Sequence, residues 1–167
     1  MAEHKAYRYC PMCGTALNTI HRTGEMRPVC PSCDHTVYYD PKVAVVMFVR
    51  QGDSVLRVKR GGDPHKGSWA LPAGFVNAGE PPADAAIREL LEETGVEGSS
   101  VTLLDVIANP GDGYADIVIA YGGEAHDAQP TAGDDADEAV FFTLDDLPEI
   151  AFYTTNLLVG RWRVGDI

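Results

Sequence analysis

The sequence contains no apolar run approaching the roughly eighteen residues that a membrane-crossing helix needs. It also shows no apolar leader ahead of its first cysteines, no internal repeat and no low-complexity segment. A membrane span, a secretory route and a repeat array are therefore set aside, and a cytoplasmic location is expected. Positive charge is scarce: 13 Lys and Arg stand against 25 Asp and Glu, a net charge of −12. The deficit is uneven, because residues 1–42 carry five basic and four acidic side chains while residues 43–167 carry eight and twenty-one. An acidic body repels a phosphate backbone, which disfavours nucleic acid as a partner. Arg8, Arg22, Arg27 and Lys42 could make only a small local patch.

Cysteine is rare, and all four copies fall into two Cys-x-x-Cys pairs, Cys10/Cys13 and Cys30/Cys33, separated by sixteen residues. This is zinc-ribbon spacing: each close pair can bracket one side of a tetrahedral ion. Gly14 supplies the permissive backbone that a tight turn after Cys13 requires. Structural zinc is the expected occupant, with iron in the same four-sulfur cage or two disulfides as alternatives. In a reducing compartment thiols persist, which favours a metal. A module of about forty residues buries too little core to fold alone, so the ion would supply its stability.

The length accommodates one ordinary domain plus this small module, and the seam is placed at Asp40-Pro41. The expected division is a ribbon over residues 1–40 and a second domain over 41–167. In the latter, strands are expected at Val43 to Val49, Ser54 to Arg60, Ser68 to Leu71, Val101 to Ala108, Ile117 to Tyr121 and Ala139 to Leu144, with a closing helix from Tyr153 to Arg163. The layout implied is α/β, a mixed sheet with helices on both sides.

The densest chemistry lies in residues 74 to 96, GFVNAGEPPADAAIRELLEETGV. Pro81 and Pro82 suit a helix's first turn and Gly95 its end, so a helix is expected from Ala83 to Thr94. Ala83, Ile87, Leu90, Leu91 and Thr94 form its apolar stripe, while Glu89, Glu92 and Glu93 gather on another face. Glu89 and Glu93 at i, i+4 repel, and a third carboxylate beside them calls for a cation. Mg2+ or Mn2+ fits, being a hard ion that takes carboxylate and phosphate oxygens together.

The segment fills every fixed position of G-x5-E-x7-R-E-U-x-E-E-x-G-U, where U is a bulky apolar residue. On those residues the chain resembles the Nudix hydrolases. The resemblance implies an α/β/α sandwich and metal-dependent hydrolysis of a phosphoanhydride in a nucleotide substrate. It assigns Glu89, Glu92 and Glu93 to the metal, with a backbone carbonyl at Gly74. Glu89 is also a candidate to accept the proton of the attacking water. Arg88 would pair with Glu80 and hold the loop from Phe75 to Gly79, or else pair with Glu92 one turn on.

A four-cysteine ribbon directly followed by this box is similar to two kinds of Nudix enzyme. The NADH type carries Ser-Gln-Pro-Trp-Pro-Phe-Pro downstream, and the corresponding stretch here, VTLLDVIANPGDGYAD, lacks it. The ADP-ribose or flavin-dinucleotide type is the closer likeness, through VYYDPKVAV, GSWALPAGFVNAGE and a proline after the box, Pro110. Pro110 is thus a candidate substrate contact, although Pro-Gly-Asp-Gly is also ordinary turn chemistry. Trp69 and Phe152 are candidates to stack on a purine, and Glu138 is a candidate further metal ligand. His65 and Lys66 could face phosphates or water. The resemblance also raises a homodimer, and a non-catalytic regulator that senses nucleotides or binds nucleic acid is the contrasting reading.

Overall fold

The computed structural model describes residues 7–98, 100–109, 115–133 and 136–167. The chain divides into two compact units, Met1–Pro41 and Lys42–Ile167. In the first, β1 (Asn18–Arg22) and β2 (Glu25–Val29) form an antiparallel hairpin with Arg22 opposite Glu25. The two-residue turn between them has positive φ at Thr23 and Gly24, the geometry that matches strand twist. The two cysteine knuckles are built alike. Cys10 and Cys30 N–H groups donate to Thr15 and His35 carbonyls, and Gly14 and Asp34 N–H groups donate back to Cys10 and Cys30. Gly14 and Asp34 both adopt the left-handed conformation, at φ 74 and 58. Glycine takes it freely; Asp34 is held there by an Arg22 ion pair at 2.8 Å.

The second unit contains β3 (Val43–Gln51), β4 (Ser54–Arg60), β5 (Trp69–Ala70), β6 (Ala73–Phe75), α1 (Pro82–Thr94), β7 (Thr102–Ala108), β8 (Ile117–Glu124), β9 (Ala136–Thr143) and α2 (Tyr153–Arg163). Its seven strands form one sheet in the order β5-β4-β3-β8-β7, with β6 paired to β3 and β9 to β4. The β3–β8 pair is parallel and the other pairs are antiparallel, so the sheet is mixed. Strand β3 shows why two helices are needed. Its residues Val46 and Phe48 join Leu158 and Val159 of α2 on one face, while Val45, Met47 and Val49 join Ala85, Ala86 and Leu90 of α1 on the other. A strand apolar at every position from Val43 to Val49 must be covered on both sides, and the result is an α/β/α sandwich.

Helix α1 starts and stops as its prolines and glycine dictate: Pro81 is extended, and Gly95 closes it at φ 66 with its N–H on the Leu91 carbonyl. The buried face differs from the expected stripe. Ala85, Ala86, Leu90 and Thr94 are buried, whereas Leu91 is 47% exposed. The paired alanines set this rotation, because small side chains let the helix approach the sheet more closely than Ile87 and Leu91 would. Strand β9 begins three residues before the expected Ala139, within the acidic sequence GDDADE of residues 133–138. No helix among the described residues is long and apolar enough to cross a membrane.

Leu158 is fully buried at the centre of the α2 face. Leu158→Ala should cost about 3 kcal/mol of unfolding free energy, the usual cost of a core truncation. A urea denaturation midpoint equal to that of the wild type would contradict this packing.

Candidate active site

Two backbone features bring the carboxylates of α1 to one loop. Strand β6 pairs with β3, Gly74 lying opposite Val45, and the chain then turns through residues 76–80 into the helix. The turn is fastened by the Asn77 N–H, which donates to Glu80 Oε2 at 2.9 Å. A guanidinium from the middle of α1 closes the arrangement. Arg88 Nε and Nη2 donate to Glu80 at 2.8 and 3.0 Å, and Nη2 also donates to the Phe75 carbonyl at 3.1 Å. Its Nη1 donates to Glu89 Oε1 at 2.7 Å and to Glu92 Oε2 at 2.9 Å. All five N–H groups of the guanidinium are thereby matched to acceptors. Glu80 and Glu92, weighed separately as partners for Arg88, are held together.

Each catalytic candidate then has a distinct setting. The Glu89 side chain is 14% exposed and lies against Gly74, where an added Cβ would overlap its carboxyl group. Burial raises its pKa against the opposing pull of Arg88. Glu93 Oε2 accepts the Ala73 N–H at 3.0 Å, so consecutive residues of β6 meet carboxylates one helical turn apart. Glu93 also lines a small cavity of about 10 Å³ with Val58, Arg60, Gly62 and Ala136. Glu92 is the most open of the three. Glu80 is held down at about 2, first by the Arg88 hydrogen bonds and then by the Asn77 N–H.

Other candidates lie apart from this group. Glu138 faces Lys59 across the β4–β9 ladder and accepts from its ammonium at 2.8 Å. Lys59 lies out of phase with Val58 and Arg60, so Glu138 is turned away from the Glu93 cavity. Trp69 packs edge-on against Phe142 at 4.7 Å, with Lys59 6.0 Å from its ring. Phe152 has the Arg60 guanidinium over its ring and the edge of His65 beside it, each at 5.1 Å. Pro110 is outside the described residues. Arg60, which does not stand out in the sequence, lines the same small cavity as Glu93. The available signal was the Lys59-Arg60 pair closing a strand just before Gly61-Gly62.

The four cysteines are free thiols whose sulfur atoms all lie within 4.8 Å of one another. Cys13 is 3.5 Å from Cys30 and 3.6 Å from Cys33, and Cys10 is 3.7 Å from Cys33. Disulfides would require about 2.05 Å. A tetrahedral ion with metal–sulfur bonds of about 2.3 Å requires sulfur separations near 3.8 Å, which these approach. Among the described residues no other set of three or more such ligands is as tightly gathered.

Comparison with known proteins defines the class. The NUDIX domain model matches residues 39–159, and the chain belongs to the Nudix family. It is 37% identical over 140 residues to an ADP-ribose pyrophosphatase of Methanocaldococcus jannaschii, covering 78% of this chain and 80% of that protein. It is 33% identical over 94 residues to an NAD-capped RNA hydrolase of Pasteurella multocida, covering 56% of this chain and only 35% of that one. The crystal structure of a NUDIX hydrolase from Nitrosomonas europaea superposes with a TM-score of 0.77 at 26% identity, over 95% of this chain and 94% of that one.

The depressed pKa of Glu80 fixes the sign of a pH effect. Its ionised form is favoured in the folded state, so its contribution is present above the unfolded value of about 4.3. That contribution is lost as pH falls through about 2. Glu80→Gln should therefore melt below the wild type at neutral pH, with the gap closing between about pH 4 and pH 2. A gap that stays constant across this range would show that the Glu80–Arg88 bond does not carry the difference.

Proposed function

We propose that this Nudix hydrolase cleaves the pyrophosphate of a nucleoside diphosphate linked to a second group, ADP-ribose or a dinucleotide such as FAD, releasing a nucleoside monophosphate. The observation that carries the reading is the seating of the Glu89 carboxyl over Gly74, one turn from Glu93 on Ala73. A Cβ at residue 74 would fill that space, and the donors gathered there are hard oxygens suited to Mg2+ or Mn2+. Glu89, Glu92 and Glu93, with the Gly74 carbonyl, are assigned as the residues that would hold such ions. Bound there, a divalent ion neutralises charge on the pyrophosphate oxygens and lowers the pKa of water.

The chain's own groups do the rest. Glu89 accepts the proton of the attacking water. Arg88 and Glu80 keep the β6 loop against α1, so the carboxylates hold one geometry. Arg60, across the small cavity from Glu93, binds phosphate oxygens, and Phe152 beside it meets the nucleoside. Trp69 supports that wall, while Pro110 is assigned to the substrate by resemblance alone. Glu138 is left out of the ligand set because its pairing with Lys59 across β4–β9 turns it away from the Glu93 cavity. Substrate class is supported by the likeness to the Methanocaldococcus jannaschii enzyme, which spans four fifths of that protein. The second reading, a dinucleotide of the NAD type, rests on the shorter match to the Pasteurella multocida hydrolase.

The thiolate set is assigned to structural zinc in Met1–Pro41, in a cytoplasmic protein whose nucleotide-bearing partners are small molecules. The resemblance implies a homodimer. Elemental analysis should give one zinc per chain, lost in Cys30→Ser; a zinc-free, fully folded wild type would contradict the assignment.

Mg2+-dependent AMP release from ADP-ribose, FAD, NADH and diadenosine polyphosphates tests the activity. ADP-ribose or FAD should be preferred. Glu93→Gln should lower kcat/KM by more than about a hundredfold, the loss that removing a metal ligand's outer hydrogen-bond partner alone can produce. Preference for NADH would move the assignment to the second reading, and unchanged turnover in Glu93→Gln would remove the α1 carboxylates from the mechanism.

A further inference from the structure

The last turn of α1 is electrostatically disfavoured on its own. Residues 91–94 contain Glu92 and Glu93 and no basic side chain, so two carboxylates stand where the helix already presents its negative pole and unpaired carbonyls. Arg88 meets the Glu92 side chain from one turn back. The backbone of the turn is held by another part of the chain, the segment that joins β8 to β9. The Thr131 N–H donates to the Thr94 carbonyl at 2.8 Å, and the Gly133 N–H donates to the Glu93 carbonyl at 3.1 Å. Gly133 also lies so close to Glu92 that a Cβ built on it would stand 2.6 Å from the Glu92 carbonyl oxygen. That oxygen is helix backbone and cannot swing aside as a side-chain tip can. Gly133 is not in the left-handed region, so glycine serves close approach here and not an unusual φ. Three consecutive helix residues, two of them candidate metal ligands, are thus clamped by one loop.

The loop is anchored on both sides of the clamp. The Ala125 N–H donates to the Arg50 carbonyl at 2.7 Å and the Ala128 N–H to Gln51 Oε1 at 2.8 Å, which fixes the start of the loop to the end of β3. Ala125 and Ala128 also pack against the apolar cluster that α1 shares with the sheet. Beyond the clamp, the Ala136 N–H donates to the Gly133 carbonyl at 3.0 Å, and Ala136 opens β9 and lines the same cavity as Glu93. The last turn of α1 is therefore held in register with the sheet through this loop.

We infer that residues 131–133 are a positioning element for the divalent-cation site. Gly133, together with the Thr131 amide, sets how deeply the last α1 turn sits and so where the Glu92 and Glu93 carboxylates stand. This role rests on the proposed cation site of α1. Gly133 does not touch the ion; it acts through the helix backbone, in the manner of the outer partners that orient metal ligands. The coupling is reciprocal: an ion that fixes Glu92 and Glu93 must also steady the loop bonded to their turn.

The test is a Mn2+ titration of the full chain by electron paramagnetic resonance, run well below the melting temperature of every variant and counting only the binding that Glu93→Gln abolishes. Gly133→Ala should raise the Mn2+ Kd about tenfold, the usual cost of disturbing a group that orients metal ligands. Gly98→Ala is the comparison, because its Cβ would first meet side-chain atoms, Leu90 at 3.3 Å and Ile87 at 3.7 Å. It should keep the wild-type Kd even where it melts lower, which separates positioning from a loss of stability. In the wild type, hydrogen–deuterium exchange at the Thr131 and Gly133 amides should slow when Mg2+ is added, and it should not slow in Glu93→Gln. That measurement carries the test alone should Gly133→Ala not fold. An equal Kd in the wild type and Gly133→Ala, an equal loss in Gly98→Ala, or amide exchange indifferent to Mg2+ overturns the positioning role. A wild type without Glu93-dependent Mn2+ binding overturns instead the cation site on which that role rests.

Discussion

The Arg88 guanidinium connects α1 to the loop that precedes it, and the candidate site depends on that connection. Helix α1 concentrates carboxylates on one face, where Glu89 and Glu93 repel each other and Glu92 adds a third charge. Strand β6 has only three residues, too few to fix the loop after it. One side chain addresses both problems. Its donors to Glu89 and Glu92 offset the repulsion on the helix, while those to Glu80 and the Phe75 carbonyl tie the loop down. Charge-assisted bonds of this kind are short and directional, so they fix geometry as well as supplying energy. Gly74 completes the arrangement by omitting the one atom that would keep Glu89 from the loop.

Much of this was legible in residues 74–96, because every constraint there is local. Pro81, Pro82 and Gly95 mark the ends of α1, and helical spacing assigns the glutamates to one face. The strands were legible where apolar runs are long, as in β3. What could not be read depends on pairing between distant segments. Glu138 reads as a free carboxylate in an acidic run, but the β4–β9 register sets it opposite Lys59, which lies 79 positions away. Leu91 reads as core, and only the closeness allowed by Ala85 and Ala86 turns it outward. Arg60 does not stand out in the sequence, because it meets the Glu93 cavity through the fold rather than through its spacing along the chain.

The two units are stabilised by different means. Lys42–Ile167 has a core on each side of its sheet and carries nearly all the negative charge. Met1–Pro41 has few buried apolar side chains, and two of its most buried residues are Cys10 and Cys30. Its matching knuckles aim four sulfur atoms at one point, as a tetrahedral ion requires. Acidic charge in the larger unit also bears on substrate choice. A polyanionic nucleotide approaches such a surface at a cost, which the proposed divalent cations and Arg60 would offset.

The central claim is that the α1 carboxylates, organised by Arg88, form a divalent-cation site. A Mn2+ titration followed by electron paramagnetic resonance on the wild type and Glu93→Gln tests it most directly, because it reads cation binding without relying on turnover. The account predicts saturable Mn2+ binding by the wild type that is strongly weakened in Glu93→Gln while the fold is retained. Equal Mn2+ affinity in the two proteins would contradict it.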